Sequence, residues 1–371
     1  MTHETKPTPK TRPPRSHPAL DGLRFCSFLA VFLHHSLQFN YDTVALDAIG
    51  TGAVHAFFVL SGFLIGGTLL RDRDKVGLTF RRKALAFYAR RILRIFPAYY
   101  LVVALVALLG VAGYKAVSLH VFVLYDLFYL TNVGVFVLRH WAGTQSHLWT
   151  LSVQEQFYLL APLFLLTLRL RPLSLGFVAL WVGCGLGRAY AWGLHDKYFS
   201  VLAPMQFDCL TLGVAAAIVQ AQGHFLGLGP RGVGRLGLLC AVLSVPAVLL
   251  AGPTTYVGPT HDTLAATAAA VLTQWLVCVA LAAFVLALWN GRLGPLNAFL
   301  ALAPLVALGR MSYGLYLYHY FWLGACLHDI PVIRYHALFD TVLAFVLTVG
   351  TAALSWRFLE SPVNALKSKL A

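Results

Sequence analysis

The residues that invite a chemical reading are ionisable side chains set inside long apolar runs: Arg24, His34, His35, His55, Glu155, Arg188, Asp208, Arg310, His319 and Arg357. A charge or a titrating ring in hydrocarbon is costly, so each is a functional candidate by default. Arg24 and His35 are eleven positions apart, about three helical turns and roughly 16 Å of rise, so one helix face offers a guanidinium near one end and an imidazole deep inside. A guanidinium suits phosphate, and an imidazole can take or give a proton near neutral pH. His34 points about 100° away, where a histidine more commonly serves helix packing. Further along, Arg90, Arg91 and Arg94 stand at helical spacing in the segment FYARRILRIFPAYY, a cluster suited to phosphates or to lipid headgroups. Glu155 sits among Trp149, Phe157 and Tyr158, where it can pair with a histidine or with Arg188. Tyr313, Tyr316 and His319 follow one another at three-residue steps and share a helix side, which an interfacial aromatic belt would also explain.

Hydrocarbon is the solvent that positions these groups. Of the 371 residues 59% are hydrophobic and only 11% charged, well below the charged share of water-soluble domains. Apolar runs long enough to cross a bilayer are predicted near Leu23 to Gln38, Ile49 to Leu70, Ile95 to Gly113, Leu148 to Leu168 and Leu173 to Gly193. Five more are predicted near Pro204 to Gln220, Gly234 to Ala251, Leu264 to Trp289, Pro304 to Leu327 and Ala337 to Phe358. The expected fold is all-α and integral to the membrane, a bundle of about ten transmembrane helices with both termini cytoplasmic. Residues 1–18 form a basic, Pro-rich tail expected to be disordered, residues 19–362 the membrane domain and residues 363–371 a short basic tail.

The net charge of +14 does not imply nucleic acid, because 20 of the 28 Lys and Arg fall in the predicted inside segments and only four in the outside loops. It is orientation charge, with the lipid bilayer as neighbour. The stretch from Ser118 to Leu138 is apolar enough to span but contains Asp126 and Asn132. Counting it as a crossing would turn Arg169, Arg171, Arg231 and Arg235 outward, so it is expected to be re-entrant or interfacial. The six cysteines stand singly in apolar runs and are read as small buried hydrophobes. No grouping of His, Cys and carboxylates has a recognisable metal-ligand spacing, so no metal is expected.

Several separated motifs resemble one family. LDGLRFCSFLAVFLHH at 20–35, with ten residues between an arginine and a histidine, FFVLSGFLIG at 57–66, FYARRILRIFPAYY at 87–100, WTLSVQEQFYLLAPL at 149–163, MSYGLYLYH at 311–319 and RFLESP at 357–362 occur in order. Together they are similar to the acyltransferase 3 group of membrane O-acyltransferases, which acylate sugars, surface polysaccharides and some antibiotics. The chain departs from the family's pattern at Gln154, where the family commonly has Glu, and at Gln206, where it often has Arg. No extracytoplasmic hydrolase-like domain is expected beside the membrane module.

The resemblance implies an acyltransferase of the bacterial inner (cytoplasmic) membrane, multi-pass, with no bound cofactor. Its co-substrate would be an acyl-CoA, acetyl-CoA being the foremost candidate, and its acceptor a hydroxyl on a carbohydrate or glycosylated small molecule. On that reading His35 and Glu155 are catalytic, Glu155 orienting His35. Arg24, Arg90, Arg91 and Arg94 hold the donor's phosphates, and Ser61, Tyr313 and His319 complete the donor-binding set. A transporter or flippase is the rival reading, since buried Arg, Asp and His also mark substrate and proton pathways. A non-catalytic membrane scaffold is a second rival.

Overall fold

A computed structural model of the chain describes residues 17–37, 44–111, 119–193, 196, 198–251, 263–324 and 337–366. The expected disordered tail up to residue 16 and the end of the C-terminal tail, 367–371, lie outside the described residues. Among the described residues no strand forms beyond an isolated bridge between Phe225 and Leu228. The helices are α1 (Pro18–Leu37), α2 (Val44–Arg73), α3 (Phe80–Val111), α4 (Leu119–Leu127), α5 (Thr131–Leu138), α6 (Leu148–Thr167), α7 (Leu170–Gly193) and α8 (Phe207–Gln222). They continue with α9 (Pro230–Ala251), α10 (Leu264–Trp289), α11 (Gly294–Leu300), α12 (Ala303–Arg310), α13 (Ser312–Gly324), α14 (Ala337–Ser355) and α15 (Ser361–Ala365). A π-helical turn, Trp356–Glu360, joins the last two.

Five of these segments are long and apolar enough to cross a membrane: Leu46–Arg73, Phe80–Val111, Leu170–Gly193, Leu264–Trp289 and Leu338–Ala365. The helices α1 and α6 occupy their expected positions, but their polar residues, among them Asp21, Arg24, Gln154, Glu155 and Gln156, dilute the apolar run that would mark a crossing. The apolar stretch ending at Leu138 is broken into α4 and α5, of nine and eight residues. Each reaches only about 14 Å or less, too short for hydrocarbon about 30 Å thick. The expected continuous span from Pro304 to Leu327 is also divided, α12 ending at Arg310 and α13 starting at Ser312.

The centre of the bundle is α2. It packs against α1, α6, α8 and α10, while α1 packs also on α12 and α13. Between lipid-embedded helices association rests on close packing, and small residues let backbones meet. A Cβ placed on Gly62 of α2 would lie 1.9 Å from the Leu210 carbonyl oxygen of α8, and one on Gly213 of α8 would lie 2.0 Å from the Val59 carbonyl oxygen. The two glycines face each other's helices and set the separation of α2 and α8. Beside them Cys209 of α8 and Cys278 of α10 form a disulfide with a Cα–Cα distance of 5.6 Å. This corrects the reading of all six cysteines as single buried hydrophobes. The partners are 69 positions apart, so no local spacing announces them.

Gly213→Val should lower the stability of the detergent-solubilised protein by about 1–3 kcal/mol or more, the usual cost of overpacking a filled interior. Gly234→Ala, at a position with nothing within 4 Å of its Cβ, should leave the thermal midpoint in place. Thermal unfolding followed by tryptophan fluorescence compares the two.

Candidate active site

A cavity of about 900 Å³ opens between α1, α2, α3, α6 and α13. Its α2 wall runs from Val54 through Ser61 to Arg71, a rise of about 26 Å along the helix. One end is bounded by His17, Gln220, Trp289, Arg71, Arg310 and Asn364. There the His17 ring stacks on Trp289 with centroids 5.0 Å apart, and its Nε2 lies 3.0 Å from the Trp289 carbonyl oxygen. At the other end stand Tyr316 and Thr150, whose hydroxyls lie 2.8 Å apart and both reach the His147 carbonyl oxygen.

The lining carries five arginines, Arg24, Arg71, Arg91, Arg94 and Arg310, against three carboxylates, Asp21, Glu155 and Glu360, so the cavity has positive charge to spare for an anion. Arg24 is anchored one turn away by Asp21, Nη1 to Oδ1 at 2.6 Å. Arg310, at the end of α12, stands 4.0 Å from the other oxygen of the same carboxylate. Arg91 lies over the Tyr158 ring, 5.2 Å from its centroid, a contact that holds a cation while leaving its N–H donors available. Gln154 accepts hydrogen bonds from Ser61 and from Tyr158, each at 3.0 Å, tying α6 to α2 along the wall.

Of the residues expected from sequence, Arg24, Arg91, Arg94, Ser61, Glu155 and Tyr313 line this one cavity. Arg90 does not: it points to Asp72 of α2, 2.5 Å away, outside the lining set. His35 and His319 are not in the lining either. They lie just past Tyr316, His35 Nδ1 3.0 Å from His319 Nε2, with the His319 ring 5.3 Å from that of Tyr316. Glu155 therefore sits with Arg91 along the cavity, and the imidazole partner of His35 is His319. Arg188, the alternative partner weighed for Glu155, is fully buried in an ion pair with Asp208 at 2.6 Å. Gln206 is also buried and donates to the Ser200 carbonyl oxygen at 2.8 Å, away from the cavity lining.

Glu360 is the functional candidate that residue spacing did not single out. It lies in RFLESP, where helical continuation would give no reason for it to face inward. The π-helical turn adds a residue to one turn and rotates the chain beyond it. Glu360 is thereby 3% exposed, lines the cavity and accepts from Ser355 at 3.0 Å, which in turn accepts from Tyr318.

A family model described as an acyltransferase domain matches residues 17–358 of the chain. The chain belongs to this acyltransferase family. Among similar proteins is the peptidoglycan O-acetyltransferase OatA of Listeria monocytogenes serovar 1/2a, 27% identical over 378 residues that cover 94% of this chain and 56% of that protein. The O-acetyltransferase OatA of Staphylococcus aureus strain NCTC 8325 is 24% identical, over 98% of this chain and 60% of its own. A putative O-acetyltransferase of Staphylococcus aureus strain MSSA476 is 26% identical, over 97% and 59%. The chain thus spans little more than half the length of these relatives. No solved structure matches it. The membership agrees with the apolar helices in describing a multi-pass membrane protein.

Among the described residues one group has donors for a metal ion, His55 with Cys209 and Cys278, whose ligand atoms lie within 4.8 Å of one another. Its sulfurs are joined to each other, which removes both thiolates from the donor set.

Gln154 offers a direct check of the wall. Gln154→Leu leaves the Ser61 and Tyr158 hydroxyls without their acceptor and should cost about 1–3 kcal/mol of stability. Gln154→Glu, which still accepts both bonds, should unfold close to the unaltered protein in the same thermal assay.

Proposed function

We propose that the chain is a membrane O-acyltransferase that moves an acyl group, acetyl in the first instance, from acyl-CoA to a hydroxyl of a carbohydrate or glycosylated acceptor. The observation that carries this reading is one long cavity, with arginines at and along one end and the His35–His319 pair one side-chain layer beyond the other. Coenzyme A is an elongated donor with its phosphates and adenine at one end and its thioester at the other. Arg24, Arg91 and Arg94 suit the phosphates, and the stacked His17–Trp289 pair suits a flat base. An extended arm along α2 then brings the thioester to Ser61 and onward to Tyr316.

His35 is the reacting imidazole in this reading. As a base it takes the acceptor's hydroxyl proton while the oxygen attacks the thioester carbonyl carbon. The carbon–sulfur bond breaks, and the leaving thiolate recovers the proton from the imidazolium. The same lone pair serves equally if the acyl group first passes to the ring nitrogen and then to the hydroxyl. Either route requires the Tyr316 ring to swing aside so that the thioester can meet the imidazole.

The reading places the arginine-rich end of the cavity toward the cytoplasm, where acyl-CoA is made, and both termini on that side of a bundle of about ten crossings. The membrane is then the inner membrane of a bacterial cell. The relatives' names make a peptidoglycan-like polymer the first carbohydrate to test, with smaller glycosylated compounds after it.

Labelled acetyl transfer from acetyl-CoA in membranes expressing the protein tests the proposal, the product being identified by mass spectrometry. His35→Ala should reduce transfer by about 10²-fold to 10⁴-fold, the usual share of a general base. Arg91→Gln should raise KM for the donor roughly tenfold or more, as loss of a charge-assisted contact predicts. Arg90→Gln, whose guanidinium is engaged with Asp72 outside the cavity, should leave that KM within about twofold. Equal KM values for the two arginine variants would count against the cavity as the donor site.

A further inference from the structure

His319 lies opposite His35 beyond the Tyr316 end of the cavity, and its bonds fix which of the two ring nitrogens of His35 is free to react. His319 Nδ1 lies 2.7 Å from the carbonyl oxygen of Tyr316, one turn earlier on α13. A carbonyl oxygen can only accept, so Nδ1 carries the proton. The rings packed around His319 are those of Phe28, Phe32, His35, His147, Tyr316 and Tyr320, and His319 itself is 0% exposed. No carboxylate is among them, and a second proton would create a buried cation without a counter-ion among the described residues around it. Nε2 of His319 is therefore a bare acceptor.

The contact at 3.0 Å between His319 Nε2 and His35 Nδ1 then has one direction: His35 Nδ1–H donates. The two rings are within 11° of parallel, so the donor lies close to the acceptor's lone-pair plane. His147 packs its ring 5.0 Å from that of His319, and its Nε2 lies 3.2 Å from the carbonyl oxygen of Leu317. Its ring also stacks on Tyr320 at 5.4 Å, which holds this wall of the pair in place.

We propose that His319 is a positioning residue that holds His35 as its Nδ1–H tautomer and presents Nε2 as the reactive nitrogen. The proposal rests on the reading of His35 as the reacting imidazole and names how that residue is prepared. It assigns to an imidazole the task that a carboxylate performs in the triads of hydrolases, where the second group sets the tautomer and steadies the imidazolium. When His35 gains a proton at Nε2, its Nδ1–H bond to His319 becomes charge-assisted and shortens. His319 moves no atom of the substrate.

The test uses the full-length protein in bilayers with ¹⁵N-labelled histidine, the His35 signals being assigned by their absence in His35→Gln. Solid-state NMR should show His35 Nδ1 protonated and Nε2 unprotonated, and His319→Ala should move population toward the Nε2–H form. His35 protonated at Nε2 in the unaltered protein, or a tautomer indifferent to His319→Ala, would overturn the proposal. In the transfer assay His319→Gln, whose amide oxygen can still accept from Nδ1–H, should keep kcat within about tenfold of the unaltered value, as expected where only the supporting shell is changed. His319→Ala should lose about 10²-fold or more in kcat with the donor's KM unchanged. Equal kcat values for His319→Gln and His319→Ala would overturn it as well. Absence of transfer by the unaltered protein, with the expected tautomer present, would reject the acyl-transfer reading while the NMR result upholds the assignment of the ring nitrogens.

Discussion

Guanidinium groups held inside a bundle of apolar helices impose the main constraint on this protein. Arg24, Arg91 and Arg94 enter one cavity from α1 and α3, and a buried cation is tolerated only where oxygen acceptors, aromatic faces or water receive it. The lining meets that demand in part: Asp21 grips Arg24, the Tyr158 ring lies under Arg91, and Glu155 and Glu360 add carboxylates. Five arginines against three carboxylates leave a deficit of negative charge, which the phosphates of the proposed donor would supply. The polarity that disqualifies α1 and α6 as simple apolar crossings is thus the polarity that builds the cavity wall.

Holding such a wall requires the surrounding helices to meet closely and in one register. The facing glycines Gly62 and Gly213 bring α2 and α8 together, and the Cys209–Cys278 link ties α8 to α10. Arg188 and Asp208, both fully buried, fix α7 to the start of α8 through a direct ion pair. Removal of one partner of such a pair leaves an uncompensated charge, so the pair specifies register more reliably than it adds stability. These contacts surround α2, whose residues from Val54 to Arg71 form the longest continuous strip of the cavity.

Legibility in the sequence depended on how local each signal is. The Arg24 to His35 spacing, the Arg-rich start of α3 and the Glu155 segment each lie within one helix, so their type and periodicity were legible, as was the family they belong to. Arg90 and Arg91 are neighbours of the same type, and only the position of Asp72 on another helix separates a surface ion pair from a cavity residue. The partner of His35 is 284 positions away, and the cysteine partners are 69 apart, distances at which spacing carries no information. The break between Arg310 and Ser312 and the π turn at Trp356–Glu360 were hidden for another reason. Both are local departures from helical geometry within sequences that read as uninterrupted helix, and they decide where Tyr316, His319 and Glu360 point.

The arrangement also divides the cavity from the imidazole pair. Tyr316 contributes to both sides of the division: its hydroxyl meets that of Thr150 at the cavity lining, and its backbone carbonyl accepts a hydrogen bond from Nδ1–H of His319. The side chain can rotate about χ1 without moving the carbonyl, because the carbonyl is fixed by the helix. On the proposed reading, a donor pressing on the tip displaces the ring while the hydrogen bond from His319 to the carbonyl stays in place. In that proposal passage and proton placement depend on one residue through different atoms, which lets the barrier open without disordering the imidazole proposed to react behind it.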